Sequence, residues 1–286
     1  MAENRIRFGP SGNSESFYNE GHKETLEAPR WLKNMGLSAF EYPFGRGISL
    51  SDETADKIRQ EAETYDIVFS AHAPYFINLA NPDPEKRENS FGYILSAADR
   101  VKRLGGNRIV VHVGAQMKMD RQEAMAHCRD GLKEALTRLD DAGLSDVHIC
   151  TETMGKYSQI GDLDEIMDFC QLSDKLIPCL DFAHLHALKQ GQIKTQEDMK
   201  KLLDRGEELI GIDRMRTMHV HFSTIEFGPM GEKRHRTFAD KDFGPRFETL
   251  APLLAERGYT PVIICESKGT MAEDAKAMSD IYQNLI

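Results

Sequence analysis

Short apolar runs recur along this chain, and most of them end on a histidine or a carboxylate. The run 176–180 ends at Asp181, with His184 and His186 just beyond. Val110 and Val111 lead to His112, the run 148–150 leads to Glu152, and the run 262–265 leads to Glu266. Met218 and Val220 alternate with His219 and His221. A buried strand whose C-terminal tip is polar is a strand that opens into a water-filled site. A helix interior rarely begins with so much unpaired polarity, so the segment 181–186 is expected to lie beyond a strand tip.

The same pattern predicts eight strands, at residues 5–8, 38–42, 67–70, 108–112, 147–151, 176–180, 216–222 and 260–265. Helices separate them. Residues 29–35 form one, with Pro29 in its opening turn. Ser51 caps a second, which carries Ala55, Ile58 and Ala62 on one face. Ile94, Ala97, Val101 and Leu104 mark a third, and Ala124, Cys128, Leu132, Ala135 and Leu139 a fourth that opens with the pair Asp120 and Glu123. Leu163, Ile166, Met167 and Cys170 line the next; Met199, Leu202, Leu203, Leu209 and Ile210 the one after; then a helix runs from Phe247 to Gly258. Thr270 and Glu273 form a capping box for a last helix through Ile281. Residues 78–89 and 223–243 are expected to be loops. Strands alternating with helices at this length predict an α/β fold, a single-domain (β/α)8 TIM barrel over residues 1–286.

Charge and cysteine usage narrow the partners. The formal net charge is -10, which excludes nucleic-acid binding by long-range charge alone and leaves only a local basic patch. The five cysteines lack CxxC spacing and fall in predicted elements, as expected of buried thiols in a reducing compartment. The start, MAENRIRFGP, has no apolar core of a signal peptide, and no run is long enough to cross a bilayer. A cytoplasmic protein with no membrane partner is expected.

In a (β/α)8 barrel the strand C-termini converge on one face. That face would gather His72, His112, Glu152, Asp181, His184, His186, His219, His221 and Glu266, with His235 from the following loop. Burying so many carboxylates and imidazoles unpaired would cost several kcal/mol per ion, so a metal cluster is expected. Mixed histidine and carboxylate donors suit zinc, with manganese or iron next, better than calcium or magnesium. His219 and His221 are two apart on a strand and point the same way. His184, three after Asp181, is given a ligand role, and His186 a supporting or structural one. His22, His127 and His148 have no such context.

These residues resemble the endonuclease IV family, zinc-dependent apurinic/apyrimidinic endonucleases of the xylose isomerase-like TIM-barrel superfamily. His72-Ala73-Pro74-Tyr75-Phe76-Ile77-Asn78-Leu79 is similar to the family's most specific motif, and Val111-His112-Val113-Gly114, Glu152-Thr153, Asp181-Phe182-Ala183-His184, Met218-His219 and Glu266 follow in family order. The resemblance implies one zinc on His72, His112 and Glu152, and a second on Glu152, Asp181, His219 and Glu266, with Glu152 as bridge. It implies a third at His184 and His235. The family completes that third site with Asp-x-His, where this chain has Lys233-Arg234-His235. A lysine repels a cation, so the third metal is either absent or completed by His221, Glu226 or Glu232. The loop after the second strand, residues 43–47, lacks the family's basic DNA-inserting segment.

Two functions follow. In the first, two or three zinc ions hydrolyse a phosphodiester at an abasic site in damaged DNA, with Glu152 as bridge and Glu266 orienting or deprotonating the nucleophile. Tyr75 would stack on or wedge into the strand, and Lys233, Arg234 and Arg236 would meet phosphates. In the second, one divalent metal on Glu152, Asp181, His219 and Glu266 serves a small-sugar isomerase or epimerase. The second gives His72 and His112 no role, so the first is preferred.

Overall fold

The computed structural model describes residues 5–45 and 47–286. Met1 to Asn4 of the N-terminal segment, and Arg46 of the loop at 43–47, lie outside the described residues. Eight parallel strands form the barrel: β1 (Arg7–Pro10), β2 (Ala39–Pro43), β3 (Val68–His72), β4 (Arg108–Val111), β5 (His148–Glu152), β6 (Leu176–Asp181), β7 (His219–Phe222) and β8 (Val262–Cys265). Their order in the sheet is β1-β8-β7-β6-β5-β4-β3-β2. The two edges meet: Ser38 donates its N–H to the Phe8 carbonyl and Gly12 to the Glu41 carbonyl, each at 3.0 Å. The chain is thus a single-domain TIM barrel, nearly closed along the β1–β2 seam.

Strand side chains alternate between two environments. Outward positions such as Phe8, Phe40, Phe69, Ile109, Ile149, Leu180, Val220 and Ile263 pack under the helical ring in two large apolar clusters. Inward positions hold a small cluster of Val110, Cys150 and Cys179, with polar side chains above it. All five cysteines are buried and free, as their spacing implies. Among the described residues no helix is long and apolar enough to cross a membrane.

Several elements differ from the sequence reading, each for a local reason. The helix expected around Ile94 begins at Pro84 and runs to Arg103, inside the stretch read as a loop; Asp83 caps it by accepting the Glu85 N–H at 3.0 Å, and proline is tolerated in its first turn. Residues Phe182–Leu188 are helical immediately after β6. The polarity there is satisfied, because the Asp181 carboxylate accepts the His184 N–H at 2.7 Å and so caps the helix it precedes. The expected loop 223–243 contains an antiparallel hairpin, Thr224–Gly228 with Gly231–Arg236. A short helix, Glu15–Asn19, precedes the predicted first one. The Thr270 capping box does not form. The last helix, Met271–Gln283, is held instead by Ser14, whose hydroxyl accepts the Ala272 N–H at 2.7 Å.

The β1–β2 seam depends on Gly9. A Cβ there would lie 1.8 Å from the Ala39 carbonyl oxygen, inside the backbone of the neighbouring strand. Gly9→Ala should therefore destabilise the protein by about 1–3 kcal/mol in urea unfolding, as overpacking does. Gly92 is exposed in mid-helix, and a Cβ at that position would meet nothing within 4 Å. Gly92→Ala should instead stabilise by roughly 0.5–1 kcal/mol. Equal effects for the two substitutions would refute the seam argument.

Candidate metal centre

The strand alternation that buries Val110, Cys150 and Cys179 inside the barrel brings the next inward residue of each strand to the C-terminal mouth. Those residues are His72, His112, Glu152, Asp181, His221 and Glu266. Three adjoining groups of donors result at the mouth, each with its ligand atoms within 4.8 Å of one another, and a fourth, Cys179, His219 and His221, lies deeper in the barrel. The first is His72, His112 and Glu152; the second is Glu152, Asp181, His221 and Glu266; the third is Asp181, His184 and His235. Glu152 belongs to two groups and Asp181 to two.

Glu152 is fully buried at the centre. Its Oε2 lies 3.2 Å from His72 Nε2 and 2.9 Å from His112 Nε2. Its Oε1 lies 3.2 Å from His221 Nδ1 and 3.3 Å from His184 Nδ1. Burial alone would raise this carboxyl, but His112, His221 and His184 outweigh it and hold Glu152 well below the usual carboxylate range. Glu266 is the opposite case. Burial, the largest influence, keeps its carboxyl raised, although its Oε1 is 3.5 Å from His221 Nδ1 and its Oε2 3.6 Å from His235 Nε2.

The donor set fits a cation on two observations. Asp181 Oδ2 and Glu232 Oε2 are buried without hydrogen-bond partners, and an orphaned buried carboxylate oxygen is costly unless something charged meets it. The ring nitrogens are also pre-oriented. His72 Nδ1 is 2.8 Å from the Ala73 carbonyl and His184 Nδ1 is 2.9 Å from the Thr153 carbonyl, so each Nδ1 carries a proton there and each Nε2 is turned toward the group.

The expected ligands fall as follows. His72, His112, Glu152, Asp181, His184, His235 and Glu266 are all brought together. His219 is not in the second group; His221 takes that position. The two point the same way, as their spacing requires, but His219 sits lower in the barrel, opposite Cys179 in register, while His221 pairs with Asp181. His186 lies outside the groups, with Nδ1 on the Ile193 carbonyl at 2.8 Å and its ring against Phe227. Glu226 is taken up by salt bridges to Lys233, Arg234 and Arg236 on the hairpin. Glu232 reaches the third group: its Oε2 is 3.1 Å from His184 Nε2. The hairpin turns the Glu232 carboxylate toward this group and leaves Lys233 exposed.

Above the groups opens a cavity of about 610 Å³, lined by Tyr75, Lys156, Lys233, Arg234 and Lys268 among others. The Tyr75 ring is 4.9 Å from that of His72 and 5.4 Å from that of His112. Arg236 does not line it; its guanidinium covers Phe243 at 4.8 Å. Sequence reasoning passed over Lys156, Lys268 and Glu41. Glu41, fully buried in β2, was detectable: period-2 alternation through Ala39, Glu41 and Pro43 makes it an inward carboxylate.

The profile of a family described as xylose isomerase-like TIM barrel matches residues 29–282. An uncharacterized protein of Methanocaldococcus jannaschii is 32% identical over 263 residues, covering 92% of this chain and 93% of that one. A probable endonuclease 4 of Acholeplasma laidlawii is 32% identical over 162 residues, 55% of this chain and 53% of that one, so the chain matches about half the length of such relatives. Endonuclease IV from Thermus thermophilus superposes with a TM-score of 0.70 at 19% identity, covering 98% of each chain. A D-tagatose 3-epimerase-like protein does so with a TM-score of 0.73 at 17% identity, again over 98% of each. Those two structures share the fold. With the barrel and its site residues in place, the family match over most of the chain settles its membership: this protein belongs to the xylose isomerase-like TIM-barrel family, with endonuclease 4 proteins among its relatives.

Proposed function

We propose that this protein is a zinc-dependent phosphodiesterase that cleaves DNA at abasic sites. The observation that carries this reading is the set of three adjoining donor groups sharing Glu152 and Asp181. A one-metal sugar site needs only the second group and leaves His72, His112, His184 and His235 without work. Two or three metals held there would supply Lewis acidity and an activated water for in-line displacement at phosphorus.

The residues then divide the remaining tasks. Glu152, with two histidines on each oxygen, fixes the spacing between groups. Glu266, raised by burial and set between His221 and His235, accepts a proton from the attacking water. Tyr75 is 55% exposed at the rim and offers a face for a base or sugar ring next to the break. Lys156, Lys233, Arg234 and Lys268 give the cavity local positive charge on an acidic protein. Lys156 is held toward the site by Glu232, with Nζ 3.2 Å from its Oε1.

A second reading, a sugar epimerase, is favoured by the Glu152, Asp181, His221 and Glu266 group taken alone, in which the two glutamates could carry a proton to and from a ketose.

Elemental analysis of the purified protein should find two or three metal equivalents per chain, rich in zinc. One equivalent, with ketose interconversion and no nicking of abasic duplex, would move the assignment to the epimerase. Glu152→Gln should lose metal and lower nicking by at least about 100-fold. His112→Ala separates the readings: it should abolish nicking and remove one metal, whereas an epimerase would keep its turnover and its metal.

A further inference from the structure

Beneath the metal groups, inside the barrel, lies a second polar layer that the proposed chemistry does not use. Glu41 on β2, Ser70 on β3 and His219 on β7 are all buried. Glu41 Oε2 accepts the Ser70 hydroxyl at 2.8 Å and faces His219 Nε2 at 3.0 Å. Its other oxygen, Oε1, lies 2.9 Å from His221 Nε2. Neither atom makes a hydrogen bond among the described residues; the 2.9 Å approach is the contact the structure gives them.

A carboxylate oxygen and a bare imidazole lone pair repel at 2.9 Å. The contact therefore requires the His221 proton to sit on Nε2. In the neutral ring the lone pair is then on Nδ1, which faces Glu152 Oε1 at 3.2 Å and Glu266 Oε1 at 3.5 Å. Without a metal, a second proton on Nδ1 meets these carboxylates; a bound cation would take that proton's place. In the other tautomer Nδ1 would carry the proton and donate to those carboxylates, and His221 could not be a ligand. Among the described residues the charge on Glu41 also has no arginine or lysine paired with it; its contacts are a hydroxyl and two imidazoles.

We infer that Glu41 is a positioning residue for the second metal group: it fixes the tautomer and ring orientation of His221, and His219 and Ser70 hold Glu41 in place. The inference rests on the metal reading above and gives Glu41 and His219, which belong to none of the three groups at the mouth, a role in support of the second. It also explains why β7 carries histidines at two levels. The upper one ligates and the lower one braces the carboxylate that orients it.

Glu41→Gln tests this directly. The amide keeps the shape but has one acceptor oxygen and one donor nitrogen. With the oxygen retained by Ser70 and His219, the NH₂ faces His221 Nε2 and forces the proton to Nδ1. Zinc titration against a competing chelator should show one site weakened by roughly 10- to 100-fold, the scale for loss of a partner behind a metal-bound histidine, with the His72 and His112 site unchanged. A variant that melts lower but binds every zinc as tightly as wild type would leave Glu41 a merely structural residue and overturn the inference. Should the variant not fold, the wild type still decides. In zinc-loaded, ¹⁵N-histidine-labelled protein, His221 should show a protonated Nε2 and a metal-bound Nδ1; the reverse pattern overturns the inference. A wild-type protein that takes up no zinc overturns the metal reading itself and this inference with it, a result distinct from normal loading by both proteins.

Discussion

The interaction on which the site depends is a single carboxylate surrounded by imidazoles. Glu152 is fully buried and touches His72 and His112 through one oxygen, His184 and His221 through the other. A buried carboxylate without compensation costs several kcal/mol. Its four partners come from β3, the segment beyond β4, the helix after β6, and β7, so the whole barrel must close in register before that cost is met. This ties the seam at Gly9 to chemistry on the far side of the ring.

The interior of the barrel is layered by charge. Val110, Cys150 and Cys179 fill part of it with small apolar side chains. Glu41, Ser70 and His219 form a polar layer in which Ser70 and His219 both meet Glu41 Oε2. The metal groups stand above. The apolar cluster and the polar layer share one level, with Cys179 opposite His219 in register, and the metal groups lie one step of two residues higher, about 6–7 Å. The polar layer can be buried because every donor in it has the same acceptor, and it transmits order upward through His221.

The protein is acidic overall, with a net charge of -10, yet the cavity rim concentrates lysine and arginine. Glu226 and Glu232 organise that rim. Glu226 gathers Lys233, Arg234 and Arg236 along the hairpin, and Glu232 meets both His184 and Lys156. A small local field of this kind suits contact with a few phosphates and is weak at long range in salt. The hairpin therefore has two faces, one turning Glu232 and His235 toward the donor groups and one presenting cations.

Much of this was written in the chain itself. The eight strands, the single barrel, and the donors at the strand ends His72, His112, Glu152, Asp181 and Glu266 follow from apolar runs and their polar tips, which are local patterns. Tertiary structure decided what depends on how neighbouring strands are staggered. It placed His221, and not His219, beside Asp181, because alternation gives the side of a strand but not its height against the next. It made Glu41 an interior residue partnered by two histidines far away in sequence. It folded the segment after β7 into a hairpin that brings Glu232 beside His184 and leaves Lys233 exposed. It also turned Phe182–Leu188 into helix, where the Asp181 cap reverses what unpaired polarity suggests. Sequence set the donor types through side-chain chemistry and periodicity, while register and long-range pairing chose among them.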